Sequence, residues 1–170
     1  GVDLRGLARA LKQNIKEGEI VSGGSTITMQ VIRMAKGNRS RTVWNKLLEI
    51  LLATRLELSQ SKATILQHYA SNAPFGGNVV GLEAATWRYF GKRPELLSWS
   101  EAATLAVLPN SPGLIHPGRN RAALLAKRNR LLNRLLENET IDSTTYQLAL
   151  EEPLPEQPLP LPQLAPHLLD

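Results

Sequence analysis

SGGSTITMQ, residues 22–30, sets two glycines ahead of three hydroxyl side chains and a glutamine, with no acid among them. Gly23 and Gly24 break whatever precedes them, and Ser25 or Thr26 can cap a helix running to about Lys36, before Gly37. At about 100° per residue, Thr26, Gln30 and Arg33 fall on one narrow stripe. Ile27, Val31 and Met34 form a parallel apolar stripe, and Ile32 and Ala35 take the remaining surface. The pattern predicts a mostly buried helix with one polar strip facing a groove. Its N-terminus offers unpaired backbone N–H groups and the positive end of the helix dipole, which suits an anion.

The flanks carry the matching sign. Between Ile20 and Leu48 there is no Asp or Glu, while Arg33, Lys36, Arg39, Arg41 and Lys46 are all present. These cations alone equal the formal net charge of the whole chain, +5. Such a cluster suits phosphate without saying which phosphate, and it equally describes a solvated basic face beside a capped helix. Further along, Lys46 and Glu49 stand at i, i+3, with Leu52, Ala53 and Leu56 around the glutamate. Apolar neighbours raise a carboxyl's pKa and a lysine opposes that shift. The same spacing also fits an ordinary surface Lys–Glu pair.

The rest of the chain reads as helix. Segments 4–16, 42–58, 61–70 and 80–90 have helical periodicity, and Ser98 with Glu101 forms a capping box ahead of a short apolar helix that Pro109 ends. An arginine-rich amphipathic helix spans 119–138, and a last one begins near Asp142. NAPFGGN (72–78) and NSPGLIHPG (110–118) are loops by their prolines and glycines. No internal repeat and no convincing strand is visible, so the fold class is mostly α. From Pro153 onward six prolines fall within fourteen residues, which predicts a domain over 1–152 and an extended linker over 153–170.

Composition agrees. The 170 residues suffice for one core; 42% are hydrophobic and only 5% aromatic, favouring helix over sheet. The absence of cysteine excludes disulfides, thiolate metal sites and a cysteine nucleophile. His68, His116 and His167 lack metal-ligand spacing and read as structural or surface residues, and no metal site is assigned. No apolar run approaches the roughly 20 residues of a membrane span. The opening GVDLRGLARA lacks the layout of a signal peptide, and its abrupt start predicts a fragment.

With these motifs in order, the chain resembles glycosyltransferase family 51, the peptidoglycan glycosyltransferase domain of class A penicillin-binding proteins. GGSTITMQ is similar to the family's second motif, with Met29 in place of its usual second glutamine. RTVWNKLLE resembles the Arg-Lys-x-x-Glu segment, keeping Lys46 and Glu49 but holding Asn45 where the family has arginine. YASNAPFGGNVVGLEAATWRYFGK resembles the fourth motif, with Ser71 replacing a usual asparagine, and LSWSEAATLAVLPNSP the fifth. APFGG instead of the commoner Tyr-Phe-Gly resembles the penicillin-binding protein 1C branch. The likeness covers residues 1 to 150.

The resemblance implies a lysozyme-like helical glycosyltransferase domain that polymerises lipid II. An acceptor C4 hydroxyl attacks the anomeric carbon of the growing strand, forms a β-1,4 bond with inversion and expels undecaprenyl pyrophosphate. It further implies that Gln30, Arg33, Arg41 and Lys46 hold the pyrophosphate, that Ser25 and Thr26 shape its subsite, and that Glu49 is the second essential carboxylate. Glu49 would orient the basic cluster or assist the leaving group. No cofactor is firmly implied; a divalent cation (Mg or Mn) at the pyrophosphate is compatible, but no dedicated ligand cage is visible. The implied partners are lipid II, the growing glycan strand and a membrane surface, with no nucleic acid. The implied location is the outer, periplasmic face of a bacterial inner membrane, reached through an anchor missing from this chain. The family's first motif, which supplies the catalytic base, would end at about Gly1, so the chain as given is expected to be inactive and its parent active.

Two rivals remain on sequence. A lysozyme-like enzyme that cleaves glycan would use similar helices but has no need of a pyrophosphate-sized basic cluster. A basic noncatalytic module binding nucleic acid or anionic membrane would draw on Arg119, Arg121, Lys127, Arg128, Arg130 and Arg134. That same helix also fits a surface helix packing its leucines on the core.

Overall fold

A computed structural model describes residues 3, 12, 24–37, 42–76, 78–110, 117–156 and 158–159. The predicted helix over 4–16 apart from Lys12, most of the loop over 110–118, His116, His167 and the end of the proline-rich segment lie outside the described residues. The chain forms two compact units, Gly1–Asn72 and Ala73–Asp170.

In the first unit, α1 (Ile27–Ala35) packs against α2 (Val43–Ser59) and α3 (Lys62–Asn72). Each of the first two starts at a threonine. The extended Thr26 accepts from the Met29 amide at 3.3 Å, and Thr42 accepts from the Asn45 amide at 3.2 Å. A β-region residue with a side-chain acceptor is what an N-cap requires, so these sites fix where each helix begins. Past the end of α1, Gly37 takes a left-handed φ of 69°, which few other residues adopt without strain.

The burial of α1 departs from the expected pattern. Only Thr28 and Met29 are fully buried, Val31, Ile32 and Met34 are half-buried, and Ile27 is 44% exposed. The contact face is centred on 28, 29 and 32, and the Ile27–Val31–Met34 stripe lies at its margin. The reason is visible at Thr28, whose hydroxyl donates to the Glu57 carboxylate on α2, so a polar residue takes an inward position. On α2 the expected face holds: Glu49 and Ala53 are buried, with Leu52 and Leu56 half-buried beside them. The opposite side of α2 exposes Val43, Trp44, Leu47 and Leu51.

The second unit contains two strands that the sequence did not reveal. β1 (Pro74–Gly76) pairs antiparallel with β2 (Val79–Val80), closing NAPFGGN into a small hairpin. Asn78 at φ 63° and Gly76 at φ 89° supply the left-handed turn. The buried Tyr89 hydroxyl, on α4 (Leu82–Phe90), donates to the carbonyls of Phe75 at 3.0 Å and Gly76 at 3.1 Å. α5 (Trp99–Val107), α6 (Arg121–Glu137) and α7 (Ser143–Glu151) pack together around Ala103, Leu132, Ile141 and Ala149. Both halves of the Ser98–Glu101 capping box form, and Asp142 caps α7.

α6 does not present all its cations. Arg128 is 1% exposed and donates to Ser100 Oγ at 3.1 Å, the Glu152 carbonyl at 2.6 Å and the Leu150 carbonyl at 3.3 Å. Burial lowers its pKa, with Glu152 opposing. Arginine stays charged under such a shift, so its donors must be met by acceptors, and helix-end carbonyls do this.

Candidate anion-binding site

Glu49 is the centre of a small cluster in the first unit. Arg33 Nε lies 2.8 Å from one carboxylate oxygen and a terminal guanidinium nitrogen lies 2.9 Å from the other, a two-pronged pair joining α1 to α2. Lys46 Nζ approaches Glu49 at 3.6 Å and donates to Ser25 Oγ at 2.6 Å. Ser25, Lys46, Glu49 and Arg33 therefore form one continuous polar chain along α1, from Ser25 just before its N-cap to Arg33 in its last turn. The side chains are 8% exposed for Glu49, 20% for Arg33 and 31% for Lys46. The carboxylate is covered and the cations have an open side.

Burial by itself pushes the Glu49 carboxyl up, but the Arg33 hydrogen bonds, the charge of Arg33 and that of Lys46 outweigh it and hold the group below the usual glutamate range. The Glu49 hydrogen bond correspondingly raises Arg33, against the opposing effect of burial. Glu49 is thus an ionised group with both oxygens engaged. It is a poor proton donor, a weak base, and a rigid anchor for two cations.

Of the residues that sequence singled out, Ser25, Arg33, Lys46 and Glu49 come together directly. Thr26 is adjacent as the cap of α1, with its hydroxyl committed to the Met29 amide. Gln30 is half-buried one turn before Arg33 on the same helix face. Arg41 lies outside the described residues. A shallow cleft beside the cluster is lined by Arg33, Lys36, Asn45, Leu48 and Glu49, placing Asn45 where the expected motif carries an arginine. Sequence reasoning missed the Arg33–Glu49 pair. The two are sixteen positions apart on different helices, and no periodicity links them.

The donor set does not make a dedicated metal site. Among the described residues no group of three or more His, Asp or Glu could hold an ion. The cluster's single carboxylate is already paired with two cations, which would repel a third.

In a mostly helical fold, a hydroxyl, an ammonium and a carboxylate-braced guanidinium are thus joined in one polar chain along a capped helix. The chain belongs to the transglycosylase family: the family model described as Transglycosylase matches residues 1–136. Penicillin-binding protein 1C of Escherichia coli (strain K12) is 41% identical over 98% of this chain, in line with the 1C likeness seen in APFGG. Penicillin-binding protein 1A of Pseudomonas aeruginosa is 40% identical over 91%, and a putative transglycosylase of Cupriavidus necator is 38% identical over 91%. The chain spans 21%, 19% and 66% of these relatives, respectively. A crystal structure of penicillin-binding protein 1A from Haemophilus influenzae aligns with 76% of this chain and 16% of its own, at 24% identity and a TM-score of 0.47.

Proposed function

We propose that this chain is the peptidoglycan glycosyltransferase portion of its protein, joining lipid II units into β-1,4-linked glycan with release of undecaprenyl pyrophosphate. The observation that carries the reading is the Ser25–Lys46–Glu49–Arg33 chain, which runs along α1 from just before its N-cap to its last turn. Departure of a diphosphate builds negative charge on the oxygen that had joined it to the anomeric carbon, and cations fixed in advance stabilise that charge without reorganising. Ser25 and Lys46 contribute donors on one side and Arg33 on the other, with Gln30 on the same helix face as Arg33; the family pattern assigns Arg41 to the same role. Glu49 acts through Arg33 and Lys46 as their positioning residue. Any divalent cation would be held mainly by the diphosphate itself, because the described residues contain no ligand set for it. The exposed Val43, Trp44, Leu47 and Leu51 face on α2 suits work at a lipid surface, consistent with the outer leaflet of an inner membrane.

Glycan cleavage fits less well. It requires a carboxyl that keeps its proton near neutrality to protonate a leaving sugar, and Glu49 is held in the opposite state. Nucleic-acid binding also loses support, because Arg128 is internal and Arg121 is occupied by backbone carbonyls. Polymerisation of lipid II by the full-length protein carrying this chain is the test. Arg33→Ala and Lys46→Ala should each lower turnover by roughly 100-fold or more while helicity is retained. Unchanged turnover in both variants, or digestion of purified sacculi in place of lipid II consumption, overturns the proposal.

A further inference from the structure

The proline-rich segment begins on the body of the second unit. Leu154 is buried and Pro155 and Pro158 are half-buried. Arg121, at the start of α6, donates to the carbonyl of Leu154 at 3.2 Å, to that of Pro155, and to that of Glu156 at 3.4 Å. Its remaining bond, 3.0 Å to the Pro117 carbonyl, braces the guanidinium against the loop before α6. At the far end Arg88 donates to the Leu159 carbonyl, and the Leu159 amide donates back to the Arg88 carbonyl at 2.6 Å. At this far clasp, Leu159 Cδ1 rests over Gly91, where a β-carbon would stand 3.0 Å away.

These contacts share one chemical logic. Proline has no N–H, so a strand with prolines at 153, 155 and 158 offers mostly carbonyl acceptors. Arginine is a donor-only fork, the complementary partner for such a strand. Arg128 extends the same row inward through the carbonyls of Glu152 and Leu150. Ala122, Leu125 and Leu150 line an open groove along Pro153 and Leu154. Extended proline-rich ligands are bound in this manner, by apolar grooves and hydrogen bonds to their free carbonyls.

We propose that Arg128, Arg121, Arg88 and the Gly91 notch form a binding track for an extended proline-rich strand, and that its occupants are residues 153–156 and 158–159 of the same chain. The inference does not depend on the glycosyltransferase reading. Its consequence is mechanical. The segment leaving α7 is held on the second unit as far as Leu159, beside the C-terminus of α4.

Site-resolved amide hydrogen exchange on the full chain tests this. The Leu159 amide should exchange at least about tenfold more slowly than in a free peptide of the same sequence. Arg121→Gln should remove the middle clasp, and Gly91→Val should lift Leu159 from its seat. Each should return the Leu159 amide toward the free-peptide rate while amides around Leu124 and Leu132 in α6 keep their protection. Free-peptide exchange in the unmodified chain overturns the proposal, as does unchanged Leu159 protection in both variants. If one substitution also exposes α6, the other decides.

Discussion

Glu49 restrains two cations at once, so changing it disturbs more than one bond. In Glu49→Gln, Arg33 and Lys46 would face each other without a neutralising charge in a partly covered position. Breaking a buried pair by deleting one partner costs about 3–5 kcal/mol; with Arg33 20% exposed, a loss of about 2 kcal/mol is expected in urea unfolding of the first unit. The pH dependence follows from the sign of the shift. Because the folded-state pKa of Glu49 is depressed, its stabilising contribution is complete above the ordinary glutamate value of about 4.3 and disappears as pH falls through the lower folded value. Arg33 is shifted upward, so its contribution persists across the whole neutral range. Acid titration should therefore show a loss of stability below about pH 4 that is smaller in Glu49→Gln. Much of this was legible: Lys46 at i, i+3 and the apolar sector around Glu49 both follow from spacing. The dominant partner was not, since an ion pair between helices depends on how they pack.

Helix boundaries are the best-determined feature at the next scale up, because their causes are local. Thr26, Thr42, Ser98 and Asp142 each begin a helix by a side-chain acceptor three residues before the amide it serves, and a single sequence carries that signal. Ser98 has a second duty that no capping rule contains: its hydroxyl donates to the Glu152 carboxylate at 2.6 Å. Ser98→Ala should thus lose the cap, about 1 kcal/mol, together with a link between the start of α5 and the end of α7. The expected total of about 1.5 kcal/mol should appear as a lowered Tm, with Ser98→Asp partly restoring the cap but not the link. The hairpin escaped notice for the opposite reason. Strands of three and two residues show no alternation to detect, and their order depends on Tyr89, some fifteen residues on. Tyr89→Phe should leave two buried carbonyls short of a donor and destabilise the second unit by about 1–3 kcal/mol, read by denaturant midpoint.

For the molecule as a whole, composition anticipated the helical class but overstated how its positive charge is presented. Arg128 is internal, Arg121 is spent on carbonyls, Lys92 is paired with Glu101 at 2.7 Å, and Arg33 is matched by Glu49. The predicted linker over 153–170 likewise starts with a docked stretch, through side chains that composition cannot locate. The Arg33–Glu49 fork has a thermodynamic corollary for any diphosphate that arrives there. Such a ligand meets a guanidinium whose charge Glu49 already offsets through two of its N–H groups, so capture differs from neutralisation of a bare charge. Fewer mobile counterions should be released, and a plot of log affinity against log salt should be shallower than two naked cations would give. Removing the resident carboxylate, as in Glu49→Gln, should steepen that slope by about one ion even where it weakens the grip.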